Sequence, residues 1–314
     1  MALTKPEKRQ EGVKFLVYGE AGSGKTPFAL TFPNQMNIDS DSGTIFYSNE
    51  NVLVNSDALS LTDLNSDLDE LEMEEELFDK IETFVVDSIT RFHENQQHAA
   101  LNVAEQRARN NGRSAEAEGL SYREYGKIKL KYDSFYQRMM RYAKQGKNLV
   151  FVAEQKDKTE NINGQPVKVG VMPNMQKDSE FDFDVVIRTY DKDGVSYGVV
   201  IKDRTGTFKR GEEIEEPKFE HWKGAIERAH QGKKRSKSEV KSFDDVLKKE
   251  AEDLDDSGEG LKEEILSIVK TLDDKQKAEF AKELKAKFND HKFKNFTDKK
   301  QLKETLEIIK NIAK

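Results

Sequence analysis

Cysteine is missing from all 314 residues, which excludes a disulfide framework, a thiol nucleophile and cysteine-ligated zinc. Also missing is any run approaching about 18 consecutive apolar residues, the length that would span a membrane. The opening MALTKPEKRQEG lacks the apolar core of a secretory signal. A soluble protein of the cytoplasm, with no membrane partner, is therefore expected. Net positive charge is absent as well: 52 Lys plus Arg against 59 Asp plus Glu give −7, so any nucleic-acid binding has to come from local basic segments. The five histidines, His93, His98, His221, His230 and His291, show no metal-ligand spacing, and no catalytic role is assigned to them. There is no internal repeat. What is present is a charged fraction of 35% equal to the hydrophobic fraction of 35%, so part of the length belongs to solvated helix or linker. The length itself suits one large domain plus a smaller unit.

Apolar runs recur through the first two thirds of the chain. VKFLVY (13–18), TFVVDS (83–88), NLVFVAE (148–154), DVVIRTY (184–190) and VSYGVVIK (195–202) read as β-strands, with longer helical patterns between the earlier ones. Strands alternating with helices predict an α/β fold with a mainly parallel sheet. Only Asp191-Lys192-Asp193-Gly194 separates the last two runs, a tight turn that predicts a C-terminal antiparallel hairpin. Tyr125, Ile128, Tyr132, Phe135, Met139 and Tyr142 recur at helical spacing and predict one helix whose apolar stripe packs into the core. A further helix is predicted over 217–230.

Beyond residue 230 the composition changes. QGKKRSKSEVK and KKEAEDLDDSGEGLKEE lack an apolar period, so 231–260 reads as a charged linker. From Leu261 the period returns at Ile265, Ile268 and Leu272, then Phe280, Leu284 and Phe288, then Leu302, Leu306 and Ile309. Three amphipathic helices, the last capped by Thr297, predict a small all-α C-terminal unit over 261–314. It carries 14 Lys and 10 Asp plus Glu, +4 against −11 for the rest. A DNA- or protein-binding surface and a plain solvated face account equally well for those charges. The expected organisation is a flexible leader (1–11), a core (12–230), the linker and the helical unit.

Gly19-Glu20-Ala21-Gly22-Ser23-Gly24-Lys25-Thr26 matches G-x-x-x-x-G-K-[ST] between a predicted strand and a predicted helix. Glycines let successive backbone N–H groups turn inward around a β-phosphate, and the new helix presents its positive end to it. Lys25 would bridge β- and γ-phosphates, and Thr26 would offer its hydroxyl to Mg²⁺. Pro27 departs from the usual pattern: it has no N–H for the α-phosphate, although its fixed φ suits a first helical turn.

Hydrolysis needs more than a phosphate cradle. TFVVDS ends a strand in Asp87, a carboxylate placed to position Mg²⁺. Ile38-Asp39-Ser40-Asp41-Ser42-Gly43 offers Asp41 as a water-activating base, with Asp39 as the alternative and an Asx-rich turn as a third reading. NLVFVAEQ ends in Glu154 and Gln155, polar groups able to sense a γ-phosphate. Lys202 and Arg204 flank the end of the hairpin, and as cations two apart on a strand they would face one side and reach phosphates bound by a neighbouring subunit.

Taken in order, GEAGSGKT, IDSD, VVDS, FVAEQ and KDR resemble the RecA-like ATPase core over residues 12 to 230, and most closely the phage-encoded recombinases consisting of little else. The resemblance implies ATP and Mg²⁺ as cofactors, a catalytic acid at Asp41, a sensing residue at Glu154 or Gln155, and Lys202 and Arg204 acting across a subunit interface of a ring or filament. It also implies single-stranded DNA as partner, bound by two loops at roughly 93–123, with Arg107, Arg109 and Arg113, and 156–181, with Lys156, Lys158 and Lys168. The implied function is ATP-dependent annealing or strand exchange in the host cytoplasm. A P-loop ATPase that loads other DNA-processing proteins, with the C-terminal helices docking the partner, is a second reading; a nucleotide-dependent binding module with little turnover is a third. Asp41 is one methylene shorter than the family's glutamate.

Overall fold

The apolar runs become strands of one sheet in the computed structural model, which describes residues 7–40, 42–47, 50–111, 121–176, 179–235, 250, 259–290, 292–296 and 298–313. These fall into two units, Met1–Lys241 and Ser242–Lys314.

The first unit is built on β1 (Lys14–Gly19), β2 (Gln35–Asp39), β3 (Val52–Ser56), β4 (Thr83–Asp87), β5 (Asn148–Ile162), β6 (Gln165–Pro173), β7 (Val185–Lys192), β8 (Val195–Asp203) and β9 (Glu213–Glu215). Their order is β3-β2-β4-β5-β1-β7-β8-β9, with β6 paired to β5 alone. Strands β3 to β7 along this order are parallel; β7–β8, β8–β9 and β5–β6 are antiparallel. The central strands are apolar on both faces because both faces are covered. One face packs Phe15, Val17, Val150, Val152 and Ile187 against α1 (Lys25–Leu30) and α6 (Lys223–His230). The other packs Leu16, Tyr18, Phe84, Val86 and Phe151 against α2 (Leu61–Met73), α4 (Ile89–Asn110) and α5 (Tyr122–Lys144).

Helix α5 starts at a capping box, Ser121 accepting from the Glu124 N–H while Glu124 accepts from the Ser121 N–H. Its stripe is buried from Ile128 to Tyr142, but Tyr125 stays 51% exposed. The short α3 (Glu75–Lys80) ends on Lys147, whose buried ammonium donates to the carbonyls of Phe78 at 2.8 Å, Asp79 at 3.2 Å and Ile81 at 2.6 Å. A cation there answers the negative end of the helix. Trp222 is fully buried against Phe15, Phe28 and Phe208, and its indole N–H donates to Asp203 at 3.0 Å.

Several expectations are corrected. The leader is tied down within its described part: Gln10 N–H donates to the Lys233 carbonyl and Glu11 N–H to that of Ala229. Residues 93–110 belong to helix α4 instead of a loop. Residues 156–173 form a β-hairpin, because β5 runs past the sheet to Ile162 and turns back as β6. Its turn is Asn163-Gly164, with φ of 54° and 81°, the left-handed pair that a two-residue hairpin loop demands. Asn-Gly is the sequence signal that marks it.

In the second unit α7 (Glu259–Thr271), α8 (Asp274–Phe288) and α9 (Lys299–Ile312) bury Leu261, Ile265, Leu272, Phe280, Leu284, Leu302 and Ile309 together. Phe293 and Phe296, in the connection before α9, join that core. Asp298 caps α9 by accepting from the Lys300 N–H; Thr297, the expected cap, lies outside the described residues, as does most of the 231–260 stretch.

Candidate functional site: the loop after β1 and the strand ends around it

The parallel strands all end on one edge of the sheet, and the polar residues of the site sit there. Gly19 closes β1; Gly22 and Gly24 take φ of 75° and 87°, a left-handed backbone that glycine adopts without strain. The loop is held from the neighbouring hairpin. Ser23 Oγ lies 2.8 Å from Thr189 Oγ1 on β7, and the Ser23 carbonyl accepts from Ser196 Oγ on β8 at 2.9 Å. A Cβ on Gly24 would collide with Ser196 Oγ, and one on Gly19 with Thr189, so both positions require glycine for space. Lys25 Nζ donates to the Glu20 carbonyl at 2.6 Å, folding back over its own loop. Helix α1 forms through Pro27, with the Phe28 N–H reaching the Gly24 carbonyl at 3.1 Å. Ala21 lies exposed at the loop's outer side.

Thr26 Oγ1 donates to Asp87 Oδ2 at 2.6 Å. The hydroxyl of the first motif and the carboxylate ending β4, 61 residues apart in sequence, thus meet within one hydrogen bond, and Asp87 is buried. Hydroxyl and carboxylate oxygens are the hard donors that Mg²⁺ takes, usually one or two from the protein with the rest from phosphates and water. Among the described residues no cluster of three or more His, Asp or Glu is placed to hold a metal ion by itself. The peptide between Asp87 and Ser88 is cis.

Asp39 is level with Asp87 across the β2–β4 pairing. Its carboxylate accepts from the Gly43 N–H at 3.1 Å, the Thr44 N–H at 3.0 Å and Thr44 Oγ1, so it organises an Asx-type turn, the third of the readings for this segment. Asp41 lies outside the described residues.

Glu154 and Gln155, left as alternatives by the sequence, go to different places. Gln155 Nε2 donates to Glu20 Oε1 in the phosphate loop at 2.8 Å. Glu154 pairs with Arg91 at 3.2 Å, and its N–H donates to Thr90 Oγ1 at 3.0 Å. Lys202 and Arg204 lie elsewhere. Asp203 is level with Val185 and Val185 with Phe15, so the end of β8 sits roughly 13 Å along the strands from Gly19. Strand β8 stops at Asp203, which takes Arg204 off it and removes the argument that the two cations share a face. Lys202 Nζ donates to the carbonyls of Phe181 at 2.8 Å and Glu180 at 3.3 Å, and Arg204 lies 3.9 Å from Asp184. Burial, and then Arg204, push the Lys202 ammonium below its ordinary value.

The basic residues expected on two loops are on regular elements. Arg107 and Arg109 are on α4, paired with Glu124 at 2.8 Å and Glu105 at 3.4 Å; Arg113 lies outside the described residues. Lys156, Lys158 and Lys168 are on the β5–β6 hairpin, with Lys168 held by Asp157 at 2.7 Å and Lys158 3.8 Å from Glu160. The hairpin, α4 and α5 enclose a groove of about 600 Å³, walled by Tyr125, Tyr132, Met172 and Met175 and rimmed by Lys129, Lys156 and Lys158. Composition and spacing carried no sign of Lys129 or Arg91. Burial, and then Lys156, lower the pKa of His93 in the groove wall.

The sequence model of the AAA domain family matches residues 11–215. The chain belongs to that family. The AAA domain matched here takes in the phosphate loop, Asp87, the β5–β6 hairpin and the β7–β8 hairpin that braces the loop. As a P-loop ATPase domain it is a nucleotide-binding unit, in agreement with the meeting of Thr26 and Asp87. The match names no recombinase and no DNA ligand. No curated protein matches the chain. No helix among the described residues is long and apolar enough to cross a membrane.

Proposed function

We propose that this AAA domain protein binds ATP with Mg²⁺, hydrolyses it, and uses the cycle to hold and release single-stranded DNA, promoting annealing or strand exchange as an oligomer. The hydrogen bond between Thr26 and Asp87 carries the nucleotide half of the reading: it puts both protein oxygens suited to the metal beside the phosphate loop. Bound there, Mg²⁺ would offset charge on the β- and γ-phosphates. Gly22, Gly24 and the start of α1 aim backbone N–H groups at phosphate, and Lys25, now on the Glu20 carbonyl, has a flexible stem long enough to exchange that acceptor for a phosphate oxygen.

The groove supports the DNA half. Aromatic faces accept unstacked bases without regard to sequence, and a rim of lysines tracks the phosphates. Gln155 ties the phosphate loop to the strand that continues into the groove's lysine-bearing wall, so a change at Glu20 on nucleotide binding has a direct route to the hairpin. Lys202 and Arg204 are engaged within their own chain at the sheet's far end, and acting on a neighbour's nucleotide would require them to leave the Glu180, Phe181 and Asp184 oxygens.

The test is ATP hydrolysis with and without oligo-dT. Lys25→Ala is expected to abolish nucleotide binding and turnover. Replacing Lys129, Lys156 and Lys158 together by Glu should weaken oligo-dT binding and flatten its salt dependence by roughly 2 in log–log slope. Full nucleotide binding in Lys25→Ala would refute the first half, and an unchanged slope the second.

A further inference from the structure

Hydrolysis needs a carboxylate that can take a proton from water, and the described acids beside the phosphate loop are not equivalent. Asp39 is occupied by its own turn, with three donors on its two oxygens. Asp87 is buried and receives Thr26. Glu154 differs from both. In the pairing of β5, β1 and β7 it shares one rung with Gly19 and Thr189, and Thr189 already touches the phosphate loop through Ser23. Alternation along β5 places Glu154 on the same face as Val150 and Val152, the face covered by α1. Asp87 pairs with Val152, so Glu154 stands one alternation further toward the strand ends than the metal-facing acid and on the same side of the sheet. Its side chain is 44% exposed, within reach of water.

The cation on Glu154 is Arg91, from the first turn of the helix that follows Asp87. That pair is 3.2 Å long and both side chains are close to half exposed, the kind of ion pair that holds a geometry weakly. Arg91 has a second acceptor in Glu94 at 3.6 Å, so it can release one carboxylate while keeping another. Below it Thr90, fully buried, accepts from the Glu154 N–H and donates to the Asn174 carbonyl at 2.7 Å. The backbone at Glu154 is thereby fixed, while its side chain is held by the half-exposed ion pair alone.

We propose that Glu154 is the general base of the ATPase and that Arg91 is its positioning residue, holding the carboxylate aside until nucleotide is bound. The inference rests on the ATPase reading above. Water attacks the γ-phosphorus and its proton passes to a Glu154 carboxylate oxygen. The bond from the γ-phosphorus to the bridging oxygen breaks with its electron pair remaining on the β-phosphate, giving ADP and inorganic phosphate, and Glu154 returns the proton to solvent.

The experiment measures phosphate release and, separately, binding of a fluorescent ATP analogue for the full chain with Glu154→Gln, Asp41→Asn, Arg91→Ala and Arg91→Lys. Glu154→Gln should lower kcat by about 100-fold or more, the contribution of a positioned base, while the analogue's Kd stays within about 3-fold, and that loss should exceed the one in Asp41→Asn. Arg91→Ala should change kcat while the analogue's Kd stays within about 3-fold, and Arg91→Lys should restore the parental kcat; a purely structural Arg91 would move Kd and kcat together, and an unchanged kcat in Arg91→Ala would overturn its role. Near-parental kcat in Glu154→Gln, or the large loss appearing in Asp41→Asn instead, overturns the proposal. A parent that binds no analogue, or binds it without turnover, overturns the ATPase reading along with it; a parent that turns over while Glu154→Gln keeps its kcat overturns the proposal alone.

Discussion

Replacing Thr26 by valine keeps the branched shape in the first turn of α1 and deletes one hydroxyl, so the change is chemical more than steric. What is lost is a 2.6 Å bond to a buried carboxylate. Hydrogen bonds to charged groups contribute about 1.5–3 kcal/mol, and for a unit of this size each kcal/mol moves Tm by about 2–4 °C, so a fall of about 3–12 °C is expected without nucleotide. Trp222 is the single tryptophan of the chain and is buried against Phe28 of the same helix; its emission therefore follows this unit on heating. Adding Mg²⁺ and ATP at about 100 times Kd should protect the parent by about 2.7 kcal/mol, and that protection should largely vanish in Thr26→Val, which lacks one of the two side chains proposed to hold the metal. A variant melting within about 1 °C of the parent, with the same protection, would show that Thr26 and Asp87 do not work as a pair.

Lys147→Met leaves three carbonyls at the end of α3 without their shared donor and should cost about 2–4 kcal/mol in a urea titration followed by Trp222. Burial holds the Lys147 ammonium down to about 8. The folded state therefore releases this proton before the unfolded state does, so the parent gains stability as pH rises from about 8 toward its ordinary value of 10.5; Lys147→Met should show no such gain. Gly164→Val forces a β-branched residue to a φ of 81° and should open the hairpin tip locally, by about 1–2 kcal/mol, read as faster amide exchange over residues 157–171 while the Trp222 melting temperature stays put.

Much of the core was legible because strands buried on both faces must be continuously apolar, and VKFLVY, TFVVDS and NLVFVAE are. The phosphate loop was legible because its glycines answer local steric needs, now visible as the approach of Thr189 and Ser196. The outward hairpin is hidden in the sequence: past Gln155, β5 is exposed and runs Lys, Asp, Lys, Thr, Glu, which as composition resembles a loop, and only Asn163-Gly164 betrays the turn. Residues 93–110 hide their helix for a related reason, since a helix half out of the core carries too few apolar residues to show its period. Strand parity also decides what spacing leaves open, as with Glu154 and Gln155, whose neighbours across the sheet are invisible until the strand order is known. Arg91 belongs to the same class: its position four residues past Asp87 means nothing until α4 is seen to start against the end of β5.

The bracing of the phosphate loop from Thr189 and Ser196 has a consequence for engineering. The octapeptide is not a portable cassette: its curl is shared with a hairpin about 170 residues downstream, so grafting GEAGSGKT onto another sheet without a hydroxyl-bearing ribbon beside it should yield a slack loop. Conversely, a bulky side chain introduced at Ser196, on a strand that carries no part of the motif, should loosen ATP from a loop whose own eight residues are untouched.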